Sequence, residues 1–460
     1  MNEIDDNDEN VKLNDAEEMK IPKQKKKNSS HKYLYYILLC ITILAILIFF
    51  IILYFTLGNT IDTVIKKNIF KAKFYVEADT QVKLFASYLK HSISSMKIDE
   101  KEIDLENIDN VYISSTEGEH SIEIALNESL STAEELFKEC SSLLEVDLSE
   151  LETKNINNMT EMFYKCTSLK TINLKNFKTP LATNMSMMFY GCENLQSLDL
   201  SYFDTSKVLD MNNLFYDCYK IQSINLNNLD TSKVEYMNNM FYACTGLQTI
   251  NLNNFKTNNV KNMKNMFFKC YSLESIELSS FVTSQVTNME SMFYYDKSLK
   301  SLNLANFDTS KVTDMSNMFS ACTNLTSINL NFNTQEVVDM NNLFNGCQKL
   351  NNLDLKSFNT ENVKQMGMMF YNCLSLTSLD INNFKTPKAE NMGGLFGKCL
   401  KLSYIDITNF SSAGLIIKAN LFNEIGEKGK IIFNSEYFNK SLIDVNDIKS
   451  WEKKDVAIKR

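Results

Sequence analysis

The sequence predicts an α/β solenoid preceded by one transmembrane helix, and three observations carry that prediction. Cysteines fall at 140, 166, 192, 218, 244 and 270, every 26 residues, and again at 322, 347, 373 and 399. Phenylalanines keep the same register three residues earlier, from Phe137 and Phe163 through Phe396, and Phe422 extends the series once more. Ahead of the array, Leu34 to Leu57 is apolar and uncharged. A fixed period of about 20–50 residues held this long marks units that stack.

Residues 1–33 read as a disordered tail. The first 19 carry eight acidic side chains and one lysine, Lys12, too little apolar surface to offset ordering entropy. A basic run follows: Lys20, Lys23, Lys25, Lys26, Lys27 and Lys32. Residues 34–57 then form the predicted membrane span. As a helix they reach about 36 Å, enough for a hydrocarbon core of about 30 Å. A buried core helix and a cleavable signal peptide are the alternatives. The run is too long for a signal h-region and ends without a small-x-small cleavage site. The lysines before it are denser and nearer than Lys66, Lys67, Lys71 and Lys73 after it. That asymmetry predicts a single-pass protein of the cell membrane, N-terminus cytoplasmic and repeats extracellular.

Residues 58–130 show no repeat and read as a stalk and N-terminal cap. Val111 to Ser115 and Ser121 to Leu126 predict a hairpin around Glu117-Gly118-Glu119. Its work is to cover the apolar face of the first repeat.

Residues 131–423 hold about eleven repeats. In the unit that starts at Cys192, apolar residues stand at +3, +6 and +8 (Leu195, Leu198, Leu200), and the last two alternate with polar neighbours as in a half-buried strand. Val208, Met211, Leu214, Phe215 and Cys218 are spaced like one face of a helix. Asn or Asp precedes the Met in most units (Asn184, Asp210, Asn262, Asn288, Asp314, Asp339, Asn391), a good N-cap position. Each unit is therefore predicted as strand, turn and short helix. Position 296, where a cysteine is due, holds Asp296, and the step from Cys322 to Cys347 is one residue short, near Phe332. Residues 424–460, with Gly429 to Asn434 and the only tryptophan, Trp451, read as a C-terminal cap.

The spacing L-x-x-I-x-L matches the strand of a leucine-rich repeat, with Phe or Leu where Asn is usual. The fuller pattern, clearest in Ser310-Lys311-Val312-Thr313-Asp314-Met315-Ser316-Asn317-Met318-Phe319, resembles the BspA-like family of leucine-rich-repeat surface proteins, in its branch with a 26-residue, Met-Phe-rich unit. The resemblance covers residues 131–423. It implies display at the cell surface, adhesion to cells or matrix, and aggregation between cells. Departures are Asp296, the short unit, and the smaller Ala182 and Ala389 at the Val position.

Composition narrows the function classes. A net charge of -9 argues against nucleic acid as partner. The three histidines, His31, His91 and His120, all precede the repeats, so the array lacks the commonest general base and metal ligand. No catalytic residue, cofactor site or metal site is predicted. The repeat cysteines read as a reduced, buried ladder. Disulfides are open to an extracellular chain, but in-register side chains point in parallel and leave Cβ atoms too far apart. One thiol per turn also does not converge on a metal. At Asp296 the expectation is a local kink that turns the carboxylate to water, a binding spot being the sharper alternative.

The candidate partner-binding residues lie at +7, on the solvent side of the strand. Eight are singled out: Asp199, Asn225, Asn251, Glu277, Asn303, Asn329, Asp354 and Asp380. Asp147, Asn173 and Asp406 continue the ladder, and +5 is mostly Ser or Thr. Solenoids use this face for partners, although stacked, solvated amides explain any single position equally well. Calcium is disfavoured, since no compact loop gathers six oxygens. Sequons at Asn127, Asn158, Asn184, Asn324, Asn409 and Asn439 are glycosylation candidates. The functional expectation is a membrane-anchored surface protein that binds a protein or glycan on another cell or in matrix, with self-association possible. The alternative is a receptor or scaffold recruiting cytoplasmic partners through residues 1–33.

Overall fold

The computed structural model describes residues 29–62, 68–107, 109–443 and 446–456. The expected disordered tail and its lysine run lie outside them up to residue 28. Two compact units divide the chain, Met1–Lys66 and Lys67–Arg460. The first holds α1 (Ser29–Asp62), the one helix among the described residues long and apolar enough to cross a membrane, with its apolar stretch at Leu34–Leu53.

The second unit begins with a cap of antiparallel strands. In β1 (Ile69–Val76) the sequence alternates, so that Phe70, Ala72, Phe74 and Val76 turn inward while Lys71 and Lys73 face out. After it come β2 (Gln81–Lys83), β3 (Ile93–Ile98), β4 (Lys101–Glu102), β5 (Val111–Ile113) and β6 (Gly118–Leu126). The expected hairpin does not form. β5 pairs with β2, whereas β6 lies between β1 and β3. The physical reason is length: β6 buries Ile122, Ile124 and Leu126 along a nine-residue strand, long enough to need a partner on each edge. β7 (Leu143–Glu150) pairs antiparallel with β1 and parallel with β8 (Thr171–Asn173), which hands the cap sheet over to the solenoid. Phe70 meets Phe137 edge to face at 5.5 Å and closes the first turn.

From there the chain winds as a β-solenoid. Phe137, Phe163, Phe189, Phe215, Phe241, Phe267, Phe293, Phe319, Phe344, Phe370, Phe396 and Phe422 form one continuous stack, one ring per turn, which makes twelve turns. Ring centroids lie 5.3 Å apart at the tightest step and 6.0 Å at the widest. Leu, Met, Val and Cys of each unit pack around this column, fully buried. Strands are short: β9 (Ser197–Asp199) pairs with β10 (Ser223–Asn225), and β11 (Ser301–Leu304) with β12 (Ser327–Leu330). The array closes with β13 (Ser378–Asp380), β14 (Tyr404–Asp406), β15 (Lys430–Phe433) and β16 (Glu452–Asp455), all parallel. Trp451 seals the end, its indole N–H donating to Gly426 O at 2.7 Å. A Cβ at Gly426 would stand 2.3 Å from Leu402 O, so no other residue fits there.

The short helix expected in each unit is absent. Met211–Cys218 is instead a run of tight turns, with Asn213 and Asp217 at φ 56° and 57°. Left-handed residues recur one and five positions before nearly every ladder cysteine, as Asn239 and Ala243 or Asn342 and Gly346 show. The hydrogen bonds explain why. Asn213, Phe215 and Asp217 donate to Asn238 O, Met240 O and Tyr242 O of the next turn, while Tyr216 and Cys218 donate three residues back. A helix would keep all of these bonds within one turn and leave none for the neighbour. The expected N-cap residues head this segment. Asp210 Oδ1 accepts Asn212 N–H at 2.8 Å, an Asx turn, and Asp210 bridges Asn184 on one side and Tyr236 on the other. Such bridges run unbroken from Asn158 to Ile417 and form the spine of the stack.

Two further ladders are buried. Thr153, Thr179, Thr205, Thr231, Thr257, Thr283, Thr309, Thr334, Thr360 and Thr386 each donate the hydroxyl to a carbonyl of the following turn, as Thr231 Oγ1 does to Lys256 O at 3.0 Å. Several also accept from that turn, as Thr231 does from Lys256 N–H at 2.8 Å. The cysteines are free thiols, and from Cys166 onward each Sγ donates to a Phe carbonyl of the preceding turn, as Cys244 does to Phe215 O at 3.2 Å. Asp296 does not turn to water. It is fully buried in the ladder, Oδ1 accepting Cys270 N–H at 2.8 Å and Oδ2 without a partner. The column around it is held by its own neighbours above and below, so one carboxylate cannot kink it outward.

Candidate partner-binding surface

The surface follows from the strand alternation. Leu198 and Ile224 point into the core, so Ser197 and Asp199, or Ser223 and Asn225, point out on the same side. Stacking in register then turns +5 and +7 into two polar columns.

Most of the +7 side chains have a structural task as well. Asp199 Oδ1 accepts Ser201 N–H at 3.0 Å, Asn251 accepts Asn253 N–H at 3.1 Å, Glu277 accepts Ser279 N–H at 3.0 Å, and Asp354 accepts Lys356 N–H at 3.1 Å. Each closes the turn that ends its strand. Amides also bond along the column: Asn225 Nδ2 donates to Asp199 Oδ1 at 2.9 Å, and Asn329 Nδ2 to Asn303 Oδ1 at 3.0 Å. Asp380 is exposed at the end of β13.

The face is hollowed at its N-terminal half. One groove of about 590 Å³ is floored by Leu198 and Ile224 and edged by Asp199, Asn225 and Asn251. It shares Thr171 and Ile172 with a larger groove of about 900 Å³ that runs onto the cap sheet. Of the eight singled-out residues, Asp199, Asn225 and Asn251 therefore share one groove. Glu277, Asn303, Asn329, Asp354 and Asp380 continue the column farther along without lining either groove.

The cap contributes residues that periodicity could not reveal, because they precede the repeat. Lys71 pairs with Glu123 at 3.1 Å and Lys73 with Glu145 at 2.8 Å, and Lys97 lies 3.8 Å from Glu123. All line the larger groove. These exposed pairs stabilise the fold little, but they give the groove wall alternating charge. Burial alone would raise the Asp147 carboxyl; hydrogen bonds from Ser149 and Asn173, with Lys71 nearby, hold it below its ordinary value.

Among the described residues no group of three or more His, Cys, Asp or Glu is placed to hold a metal ion. Burial raises the ladder thiols well above their ordinary value, Cys244 among them, and raises Asp296 likewise. The sequon asparagines differ in setting. Asn127 and Asn439 are exposed. Asn158 and Asn184 sit in the bridge spine, while Asn324 and Asn409 donate their amides to Lys297 O and Asn382 O.

A second aromatic column stands outside the core, two residues before the cysteine. Tyr164, Tyr190, Tyr216, Tyr242, Phe268 and Tyr294 stack face to face at 4.2–4.8 Å, half-buried, and Lys138, Lys165 and Lys269 sit over rings of the column.

Three comparisons bear on the chain. The family described as "Mycoplasma protein of unknown function, DUF285" matches residues 131–226, 214–328 and 296–410. No curated protein matches. Among solved structures, a leucine-rich cell surface protein from Faecalibacterium prausnitzii A2-165 is 17% identical, with 61% of this chain and 76% of that one covered, at a TM-score of 0.36. The TLR13-ssRNA13 complex gives 16% identity, 62% and 43% coverage and a TM-score of 0.26. A Leptospira interrogans LRR protein gives 16% identity, 58% and 86% coverage and a TM-score of 0.17.

Proposed function

Since the chain belongs to the DUF285 repeat family, matched over the region where the 26-residue unit recurs, we propose that it is a membrane-anchored surface protein that binds a macromolecular partner, without catalysis, in adhesion to cells or matrix. The observation that carries this reading is the continuous groove from Lys71 and Lys97 on the cap to Asn251 on the solenoid. Its floor is short apolar side chains and its edges are amides, carboxylates and lysines. Such a surface suits an extended protein segment, whose own polar groups meet the rungs one turn at a time. The apolar helix α1 supports anchoring, and the lysine asymmetry around it supports a cytoplasmic N-terminus.

The test uses the full chain in detergent. It is presented to surface proteins of candidate cells and to matrix proteins, and captured partners are identified by mass spectrometry. A double variant, Asp199→Arg with Asn251→Arg, places two cations in the groove and leaves the core untouched. Loss of capture by this variant supports the reading; equal capture by both proteins overturns it. Protease added to intact cells checks the topology: digestion of the repeats with survival of the tail is expected, and the reverse pattern inverts the orientation.

A further inference from the structure

The outer aromatic column stops abruptly. Where a seventh ring is due after Tyr294 stands Ser320, and Asn345 occupies the next place. Tyr371 resumes the position a turn later. The two missing rings leave a notch of about 360 Å³.

The notch is built from specific chemistry. Tyr294 and Tyr295 form one wall, their rings 4.8 Å apart and tilted by 46°. Lys297 is held beside them, its ammonium 4.9 Å from the Tyr295 ring and 5.0 Å from Tyr271. The floor is Ala321 and Gly346, small residues at positive φ that bring the backbone close to the surface. The rim carries Thr323, Asn345, Gln348 and Asn372, hydroxyl and amide groups able both to donate and to accept. No aliphatic side chain larger than alanine and no carboxylate lines the space.

One other departure from the repeat lies at the same place. Asp296 interrupts the cysteine column beside Tyr294 and Tyr295, whereas the residue missing between Cys322 and Cys347 falls near Phe332, away from the notch. An array whose turns repeat for packing reasons departs from itself where another demand competes.

We propose that this notch binds a pyranose ring of a glycan. A sugar presents an apolar C–H face, which packs on an aromatic wall, and a rim of hydroxyls, which exchange hydrogen bonds with amides. A purely apolar ligand would leave the rim groups unpaired, and a flat aromatic one would leave its edges without matching acceptors and donors. Lys297 adds a single positive charge, so the site takes neutral sugars and gains on those carrying a carboxylate. This site shares no lining residue with the strand-face grooves and goes beyond the reading above.

The test is ligand-observed NMR on the full chain in detergent with three probes: chitotriose, lactose and sialyllactose. At least one binds with a Kd of about 1 mM or tighter. The variant Ser320→Tyr, which supplies the missing ring at a buried position and fills the notch, abolishes that binding while circular dichroism stays as in the parent. Lys297→Gln weakens sialyllactose relative to lactose by about two- to fivefold, an electrostatic loss. Absence of binding by all three probes, or binding by Ser320→Tyr equal to the parent, overturns the proposal.

Discussion

Asp296 sits where ten other turns of the ladder place a thiol, and its environment dictates a measurable pH dependence. The equivalent thiols donate to a carbonyl 29 residues back, as Cys218 does to Phe189 O at 3.1 Å; for position 296 that carbonyl belongs to Phe267. An ionised carboxylate has no proton to give, and Oδ2 is buried without a partner. Burial therefore raises its folded pKa well above the ordinary value. The folded state then holds a proton that the unfolded chain releases above about pH 3.9. Stability is fully present below that pH and falls as pH rises toward the folded pKa, by up to about 1.4 kcal/mol per pH unit. Asp296→Asn removes the titration and supplies a donor while Oδ1 still accepts Cys270 N–H. Its gain is at least about 1–3 kcal/mol at pH 7, the cost of one buried unsatisfied group, and grows with pH as the titration cost adds to it. Asp296→Cys restores the ladder and is expected to match it. Urea unfolding of the full chain in detergent, followed by circular dichroism between pH 4 and pH 8, reads both effects. A parent and an Asn variant with parallel stability curves across that range would refute the argument.

Two further outcomes test the other ladders. Thr231→Val keeps shape but removes the bond to Lys256 O and strands Lys256 N–H, so a loss of about 2–3 kcal/mol is expected in the same unfolding assay; no loss would mean that water or a shifted backbone replaces the hydroxyl. The buried thiols should resist a soluble disulfide reagent in the native state and react together on unfolding, because burial keeps them protonated, and Cys244→Ala should cost only about 1 kcal/mol. Rapid native-state labelling of Cys244 would contradict its place in the core.

What was legible in the sequence was the core, because each apolar column repeats at a fixed residue. Phe215, Cys218, Leu195, Val208 and Met211 are buried as their period requires. The expected helix does not form, and the reason is physical. Asp210 accepting from Asn212 is the same local chemistry at a helix N-cap and at an Asx turn. The spacing of Met211, Leu214, Phe215 and Cys218 also serves a pair of turns facing inward. The discriminating signal was Asn213, Asn239, Asn265 and Gly346 at positions that need positive φ, a cost to a helix but none to a turn. The threonine column is hidden by its setting, since a polar residue amid polar neighbours looks like loop until its in-register recurrence is counted. Ser197 and Asp199 stand on the exposed side of their strand, as alternation predicts, but the extension of that side onto the cap depends on Lys71 and Lys97, which obey no repeat. Asp296 shows the limit of reasoning from cost alone: a penalty at one rung does not expel the side chain when the rungs on both sides are satisfied.

The bridge spine has a mechanical corollary. Its pairings continue from Asn158 to Ile417, whereas ladder pairing on the strand side breaks between β8 and β9, between β10 and β11 and again between β12 and β13. Stiffness is thus greatest along one edge of the coil, as in a bound book, and the opposite edge is held by fewer bonds. Successive strands can open or close by small rotations about the spine without breaking a spine bond. Curvature of the strand face then becomes a soft coordinate, adjustable to partners of different radius at little energetic cost. Extension along the axis remains stiff.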